Sequence, residues 1–354
     1  MIGIHSALKA LLVFCLFVST ITCTAAMEPI PASAYVQSQE RLLIAPGLHI
    51  NLYCLGKGEP TVLLDSGLGD GTLSWRLVQG EIAKTTRACS FDRANYFFSD
   101  SVDRPATAQA MVDDMLALIT KAQLGDQIIF VGHSRGGLNV RLFAYEHTNR
   151  VAGLVLVDPT VTEKLSLTTT SNYVHKYENY LARGQQLKNC QQLAMQNILR
   201  ADGADPLNCL DNFGVQHDPR EQTLSRDIRS MESRPTFQAA LFSERQNLFY
   251  PIDSDGESTD GLSISRAEHS LGDIPLVVIS ADWFKSASFK GAPTSEQMQF
   301  LAWNTRQMRH ISQESTRGLL VKVASQHYVQ KERADVVVDA IQHVVDLSRG
   351  PASR

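Results

Sequence analysis

Gln127-Ile-Ile-Phe-Val-Gly-His-Ser-Arg-Gly-Gly137 is the stretch that decides how this chain reads. An apolar, β-rich segment runs straight into one G-x-S-x-G, and Leu138, Arg141, Leu142 and Tyr145 leave it with helical spacing. The pentapeptide recurs by chance in unrelated chains, so the strand before it and the helix after it carry the meaning. A strand that turns sharply into a helix at Ser134 holds the hydroxyl out of the bend, and Gly132 and Gly136 let strand and helix approach. The helix N-terminus adds free N–H groups and a positive dipole end beside that hydroxyl.

Outward from this turn, short apolar runs alternate with helical patterns. Strands are predicted over 42–44, 49–55, 61–64, 88–91, 127–131, 151–157, 275–280 and 319–323, with turn chemistry at Pro46-Gly47 and at 56–60. Near-continuous apolar runs such as Leu154-Val-Leu-Val157 and Leu276-Val-Val-Ile279 suit strands covered on both faces, hence a parallel sheet between helices. Met111, Met115, Leu118 and Ala122 form one helical packing stripe, and Val337, Ala340, Ile341, Val344 and Val345 form another. From 160 to 271 the strand rhythm stops in favour of a polar, helix-leaning segment broken at 201–205 and 252–261, an insertion between two core strands.

A serine hydroxyl needs a base, and in this motif the chain order is Ser, acid, His. His327 fits: it follows the strand at 318–323 and precedes the last helix, where a loop can bring its imidazole over Ser134. His133 beside the nucleophile reads as a packing residue, and the remaining histidines fall in the leader, the insertion or other elements. Backbone donors for a developing oxyanion are expected from the glycine-rich turn Asp65-Ser-Gly-Leu-Gly-Asp-Gly71, which can aim the Leu68 N–H at the position faced by the Arg135 N–H.

Four ordered segments now show a resemblance to the α/β-hydrolase superfamily across about residues 41–347. Leu64-Asp-Ser-Gly-Leu68 resembles its strand-3 turn, Phe91-Asp-Arg-Ala-Asn-Tyr96 its Asp-Arg-x-Gly turn, Gly132-His-Ser-Arg-Gly136 its elbow, and Gln326-His-Tyr-Val-Gln330 its Gly-His-Tyr segment. Ser66 stands where the family usually has His, Asn95 where it has Gly, and Gln326 where it has Gly. The resemblance implies a mostly parallel central sheet with helices on both faces and a helical cap inserted after strand 6. The core is then 41–159 and 272–347, and the cap 160–271. It also implies a triad acid, for which two residues compete. Asp282 ends the seventh strand, the usual place, but is slightly out of register. Asp158 ends the sixth, as in a minority of members, and is the expected acid, with Asp282 the alternative. Cys190 and Cys209 are close enough in sequence to clip a local loop of the insertion with a disulfide, and the family's strand order would set Cys54 beside Cys89, where a second disulfide is expected.

The 354 residues carry 33 Lys+Arg against 37 Asp+Glu, a net charge of -4 with 44% hydrophobic residues, which excludes disorder, collagen and coiled coil and leaves no basic footprint for nucleic acid. His5 and Lys9 precede the apolar run Ala10-Leu-Leu-Val-Phe-Cys-Leu-Phe-Val18, too short to span a bilayer comfortably, with small residues at 24–26 and 32–34. Residues 1–26, or up to 34, are therefore expected to be a signal peptide, with a retained anchor as the alternative. The four cysteines beyond it suit two disulfides in a secreted or periplasmic protein, and none has the spacing of a metal site. The sum is an exported serine hydrolase, a carboxylesterase first, working without cofactor or metal on a small acyl substrate. Hydrolysis of a lactone, thioester or amide, or a non-catalytic binding protein on the same fold, are the alternatives.

Overall fold

The apolar runs of a chain like this must each bury two faces, and in the computed structural model they do so in a single sheet. The structure describes residues 30–162, 171–210, 222–250, 252 and 257–350, so most of the expected signal peptide, 1–29, lies outside the described residues, as do parts of the insertion. In chain order the strands are β1 (Glu40–Ala45), β2 (Leu48–Leu55), β3 (Thr61–Asp65), β4 (Ala88–Phe91), β5 (Ile128–His133), β6 (Val151–Val157), β7 (Leu276–Ala281) and β8 (Gly318–Val323). The helices are α1 (Gln79–Ile82), α2 (Ala108–Lys121), α3 (Arg135–Glu146), α4 (Ser171–Met195), α5 (Gln222–Glu232), α6 (Pro235–Phe249), α7 (Thr259–Ala267), α8 (Ser295–Ser312), α9 (Val329–Glu332) and α10 (Ala334–Arg349).

The sheet order is β1-β2-β4-β3-β5-β6-β7-β8, antiparallel from β1 to β4 and parallel from β4 onward. Successive side chains of a strand point to opposite faces, and the continuous apolar runs divide accordingly. Leu63, Phe130, Leu154, Leu156 and Val278 pack on one side with Met115 and Leu118 of α2 and Leu138 and Phe143 of α3. Val62, Leu64, Val131, Val155 and Ile279 pack on the other with Val337, Ile341, Val344 and Val345 of α10. Both stripes read from the sequence are thus packing faces.

Helices α4 to α7 lie between β6 and β7 in the chain. The break expected over 252–261 is shorter than that, because α7 already begins at Thr259, where the Ser258 hydroxyl accepts the Gly261 N–H at 3.1 Å. An N-cap is what turns a Ser-rich stretch from loop into helix start. Cys54 and Cys89 face each other in register across β2 and β4, with sulfurs at bonding distance and Cα atoms 4.1 Å apart. Cys190 and Cys209 are likewise joined, tying α4 to the loop that follows it. No described helix is long and apolar enough to cross a membrane.

Register brings the chemistry to one edge. Asp65 pairs with Gly132 and His133 with Val157, so the turns after β3, β5 and β6 leave the sheet side by side at its carboxyl end. Open parallel sheets bind ligands at that end.

Candidate active site

Ser134 sits between β5 and α3 with φ 51° and ψ -116°, backbone that a residue with a Cβ adopts at a cost of about 1–3 kcal/mol. Its surroundings hold it there. The Ser134 N–H donates to Val157 O at 3.1 Å, and the Ser134 carbonyl accepts the Thr160 and Leu138 N–H groups at 3.0 and 3.3 Å. The two motif glycines are steric necessities: a Cβ on Gly132 would lie 2.4 Å from Gly136 O, and one on Gly136 would lie 2.3 Å from Asp65 O.

His327 comes from the loop after β8. Its Nε2 is 2.9 Å from Ser134 Oγ and its Nδ1 is 2.7 Å from Asp158 Oδ2. A carboxylate only accepts, so the proton sits on Nδ1 and the Nε2 lone pair faces the serine hydroxyl. Asp158, 2% exposed, is fixed on every side. Its N–H donates to Ile279 O at 2.7 Å, its Oδ1 accepts the Ala281 N–H at 3.1 Å, and its Oδ2 also accepts the Trp283 indole N–H at 3.3 Å. Asp282 is buried as well, but its Oδ2 faces Lys285 Nζ at 3.3 Å and its Oδ1 meets no donor among the described residues. Of the two competing carboxylates, Asp158 is the one that meets His327.

The turn after β3 lies against the elbow. A Cβ on Gly67 would stand 2.9 Å from His133 Nδ1 and 3.5 Å from Ser134 Cβ, so only glycine fits. Gly67, the residue before Leu68, thus lies against the elbow. Arg135 opens α3, where a backbone N–H has no intrahelical acceptor. The departures from the family pattern have local reasons. Ser66 Oγ donates to Gly71 O at 2.7 Å and closes the turn on itself. Asn95 takes φ 73°, a conformation Asn tolerates better than most residues with a Cβ. Gln326 Nε2 donates to Trp283 O at 2.9 Å, linking the histidine loop to the residue that bonds Asp158.

Three groups go beyond the sequence reading. Trp283 and Arg93 carried no role there, though Arg93 stood in the quoted Asp-Arg turn. His133 packs as expected, against His327 and Tyr328, but its Nε2 also donates to His327 O at 3.0 Å. Burial first, then the nearby His327, pushes its pKa well below the usual histidine value, so the native ring is neutral. A base depressed in the folded state contributes stability above its unfolded pKa, near 6.5, and that stability is lost as pH falls below it. His133→Gln, which keeps a donor near the Nε2 position, is expected to flatten the fall of Tm between about pH 7.5 and about pH 5. Thermal melts of both proteins across that range check this; equal slopes would mean that the native ring takes up its proton as readily as the unfolded chain.

Among the described residues no group of three or more His, Cys, Asp or Glu is arranged to hold a metal ion. A family model described as alpha/beta hydrolase fold matches residues 60–283, more than half the chain, and the chain belongs to that family. Among curated proteins, the 2-hydroxymuconate semialdehyde hydrolase of Pseudomonas sp. (strain CF600) is 34% identical over 124 residues, covering 33% of this chain and 42% of that one. The chain spans less than half the length of the curated relatives it matches. Among solved structures, a thermophilic esterase from Thermogutta terrifontis has TM-score 0.54 and 19% identity, covering 88% of this chain and 100% of the other. The enol-lactonase from Burkholderia xenovorans LB400 has TM-score 0.53 and 18% identity, covering 84% and 96%. At those identities the likeness is one of fold.

Proposed function

We propose that the chain is an exported serine hydrolase, first of all a carboxylesterase, in which Ser134, His327 and Asp158 act as a triad. The observation that carries this reading is the unbroken relay from Ser134 Oγ through His327 to Asp158, at 2.9 and 2.7 Å, on a strained elbow. Ser134 Oγ attacks the acyl carbonyl while His327 Nε2 takes its proton. The Leu68 and Arg135 N–H groups bind the oxyanion, and Asp158 steadies the imidazolium. Collapse of the tetrahedral intermediate breaks the acyl–oxygen bond, and His327 hands the proton to the leaving alcohol. Water then repeats the sequence on the acyl-enzyme and restores the serine.

In this reading residues 41–159 and 272–347 form the catalytic core and 160–271 a cap that shapes the acyl pocket. Leu187, Phe237 and Leu241 of that segment belong to the apolar cluster against which Leu68 packs, which supports the assignment. Two disulfides favour an oxidising compartment. Ala32 and Tyr35 are buried, and the Ile30 N–H donates to Arg76 O at 3.3 Å, so cleavage of a signal at Ala26 suits the fold better than cleavage at 34.

The deciding experiment treats the purified mature protein with a fluorophosphonate probe and, separately, with a panel of p-nitrophenyl esters, lactones, thioesters and anilides. Ester turnover with the probe mapped to Ser134 is expected. Absence of both labelling and turnover would sink the reading in favour of a binding protein.

A further inference from the structure

We infer that Glu244 on α6 and Asp260 on α7 are positioning residues for the two oxyanion donors, so that the segment between β6 and β7 builds the oxyanion hole as well as covering it. The inference rests on the serine-hydrolase reading above. It starts from Arg93, whose side chain is 1% exposed and whose guanidinium is divided between two tasks. One edge meets Glu244, with Nε 2.8 Å from Oε1 and Nη2 3.3 Å from Oε2. The other edge grips the turn after β3: Nη1 donates to Asp65 Oδ1 at 2.8 Å and to Ser66 O at 2.7 Å, and Nη2 donates to Gly67 O at 2.6 Å.

The last of these contacts matters most. Gly67 C=O and Leu68 N–H belong to one peptide unit, which is planar and trans, so the two bonds point in opposite directions. Pinning the Gly67 oxygen onto Arg93 therefore fixes the direction of the Leu68 N–H on the far side of the same plane. The side chain of Leu68 packs against the apolar cluster that Phe237, Ala240 and Leu241 of α6 form with Tyr96 and Leu187, and Glu244 Oε2 accepts the Gly69 N–H at 3.4 Å. The donor's peptide is thus held at its oxygen, and its residue at the side chain and through the next N–H along the chain.

The second donor is anchored in a parallel way. The Arg135 side chain is fully buried and does not reach the nucleophile's solvent face; its Nη1 bonds Asp260 Oδ2 and donates to Glu244 O at 3.4 Å, and its Nη2 donates to Ala106 O at 3.1 Å. Asp260 Oδ1 accepts the Ala108 N–H at 2.7 Å and so ties α7 to the start of α2 as well. Residues far apart in the chain, one on each side of the elbow, are held by carboxylates from the same inserted segment. A core without these two helices would keep Ser134, His327 and Asp158 but leave both oxyanion donors loosely aimed.

The test compares wild type with Glu244→Gln, Asp260→Asn and the triple variant Asp65→Asn/Arg93→Met/Glu244→Leu, using a p-nitrophenyl ester and the fluorophosphonate probe. Arg93 pairs with both Asp65 and Glu244, and replacing every charge of a buried ionic group by neutral residues is often tolerated, so the triple variant keeps the test open if Glu244→Gln does not fold. In each folded variant kcat is expected to fall roughly 10- to 100-fold, somewhat less than deletion of a whole oxyanion donor. KM should stay within about 3-fold. Phosphonylation of Ser134 should slow in the same proportion, and the pH profile of kcat/KM should keep its midpoint because His327 and Asp158 are untouched. Folded variants with wild-type kcat would overturn the inference, as would a loss that appears in KM or moves the pH midpoint. A wild-type protein that turns over no ester and takes no probe would instead bring down the serine-hydrolase reading on which it rests.

Discussion

Ser134→Ala is expected to lower ester turnover by about four orders of magnitude or more while the protein stays folded. The elbow's backbone contacts do not involve the hydroxyl: the N–H to Val157 and the carbonyl to Thr160 and Leu138 remain. Alanine keeps the same Cβ in the same φ 51° conformation, so no new strain is introduced. What disappears is Oγ, with its 2.9 Å contact to His327 and a 3.4 Å contact to Thr160, half-buried interactions worth about 1 kcal/mol in stability. Activity and stability should therefore separate widely. Initial rates on a p-nitrophenyl ester, with circular dichroism melts of the same samples, measure both. Residual turnover above roughly a hundredth of wild type would mean that another group does the chemistry.

The elbow was legible in the sequence because its determinants are local: an apolar strand, two obligatory glycines and a helical stripe within twenty residues of one another. His327 was legible because its position between the last strand and the last helix is a statement about chain order. The acid was not, since Asp158 and Asp282 both end strands of the same sheet and both become buried. What separates them is the direction in which each turn leaves its strand, with Asp158 at φ 40° and tied through Oδ1 to the Ala281 N–H. No pattern of apolar spacing encodes that. Glu244 and Asp260 were illegible for a different reason. Each is an ordinary polar residue in a helical segment until the fold brings it to Arg93 or Arg135, more than a hundred positions away. The short break predicted before α7 failed on a single cap, Ser258, which the composition of 252–261 disguised as loop.

Asp158→Asn should lower kcat by about 10⁴-fold, while Asp282→Asn should leave it within a few-fold of wild type. Three donors converge on the Asp158 carboxylate: the Ala281 N–H on Oδ1, and the Trp283 and His327 N–H groups on Oδ2. An asparagine has one oxygen and one NH₂ to offer them, so at least one donor must meet a donor, and two must when the oxygen serves Ala281. The Ala281 N–H belongs to β7 and cannot turn, and an indole has no acceptor form. Only His327 can adapt, by moving its proton from Nδ1 to Nε2. The asparagine oxygen then serves Ala281, its NH₂ faces His327, and the indole of the half-buried Trp283 must give way. In that tautomer Nε2 presents a proton to Ser134 instead of a lone pair, and the base is lost with the geometry intact. Asp282 has no such coupling, since its carboxylate looks toward Lys285. Parallel kcat measurements on the two folded variants decide the matter: a large loss in Asp282→Asn with Asp158→Asn near wild type would reverse the assignment of the acid while leaving Ser134 and His327 in their roles.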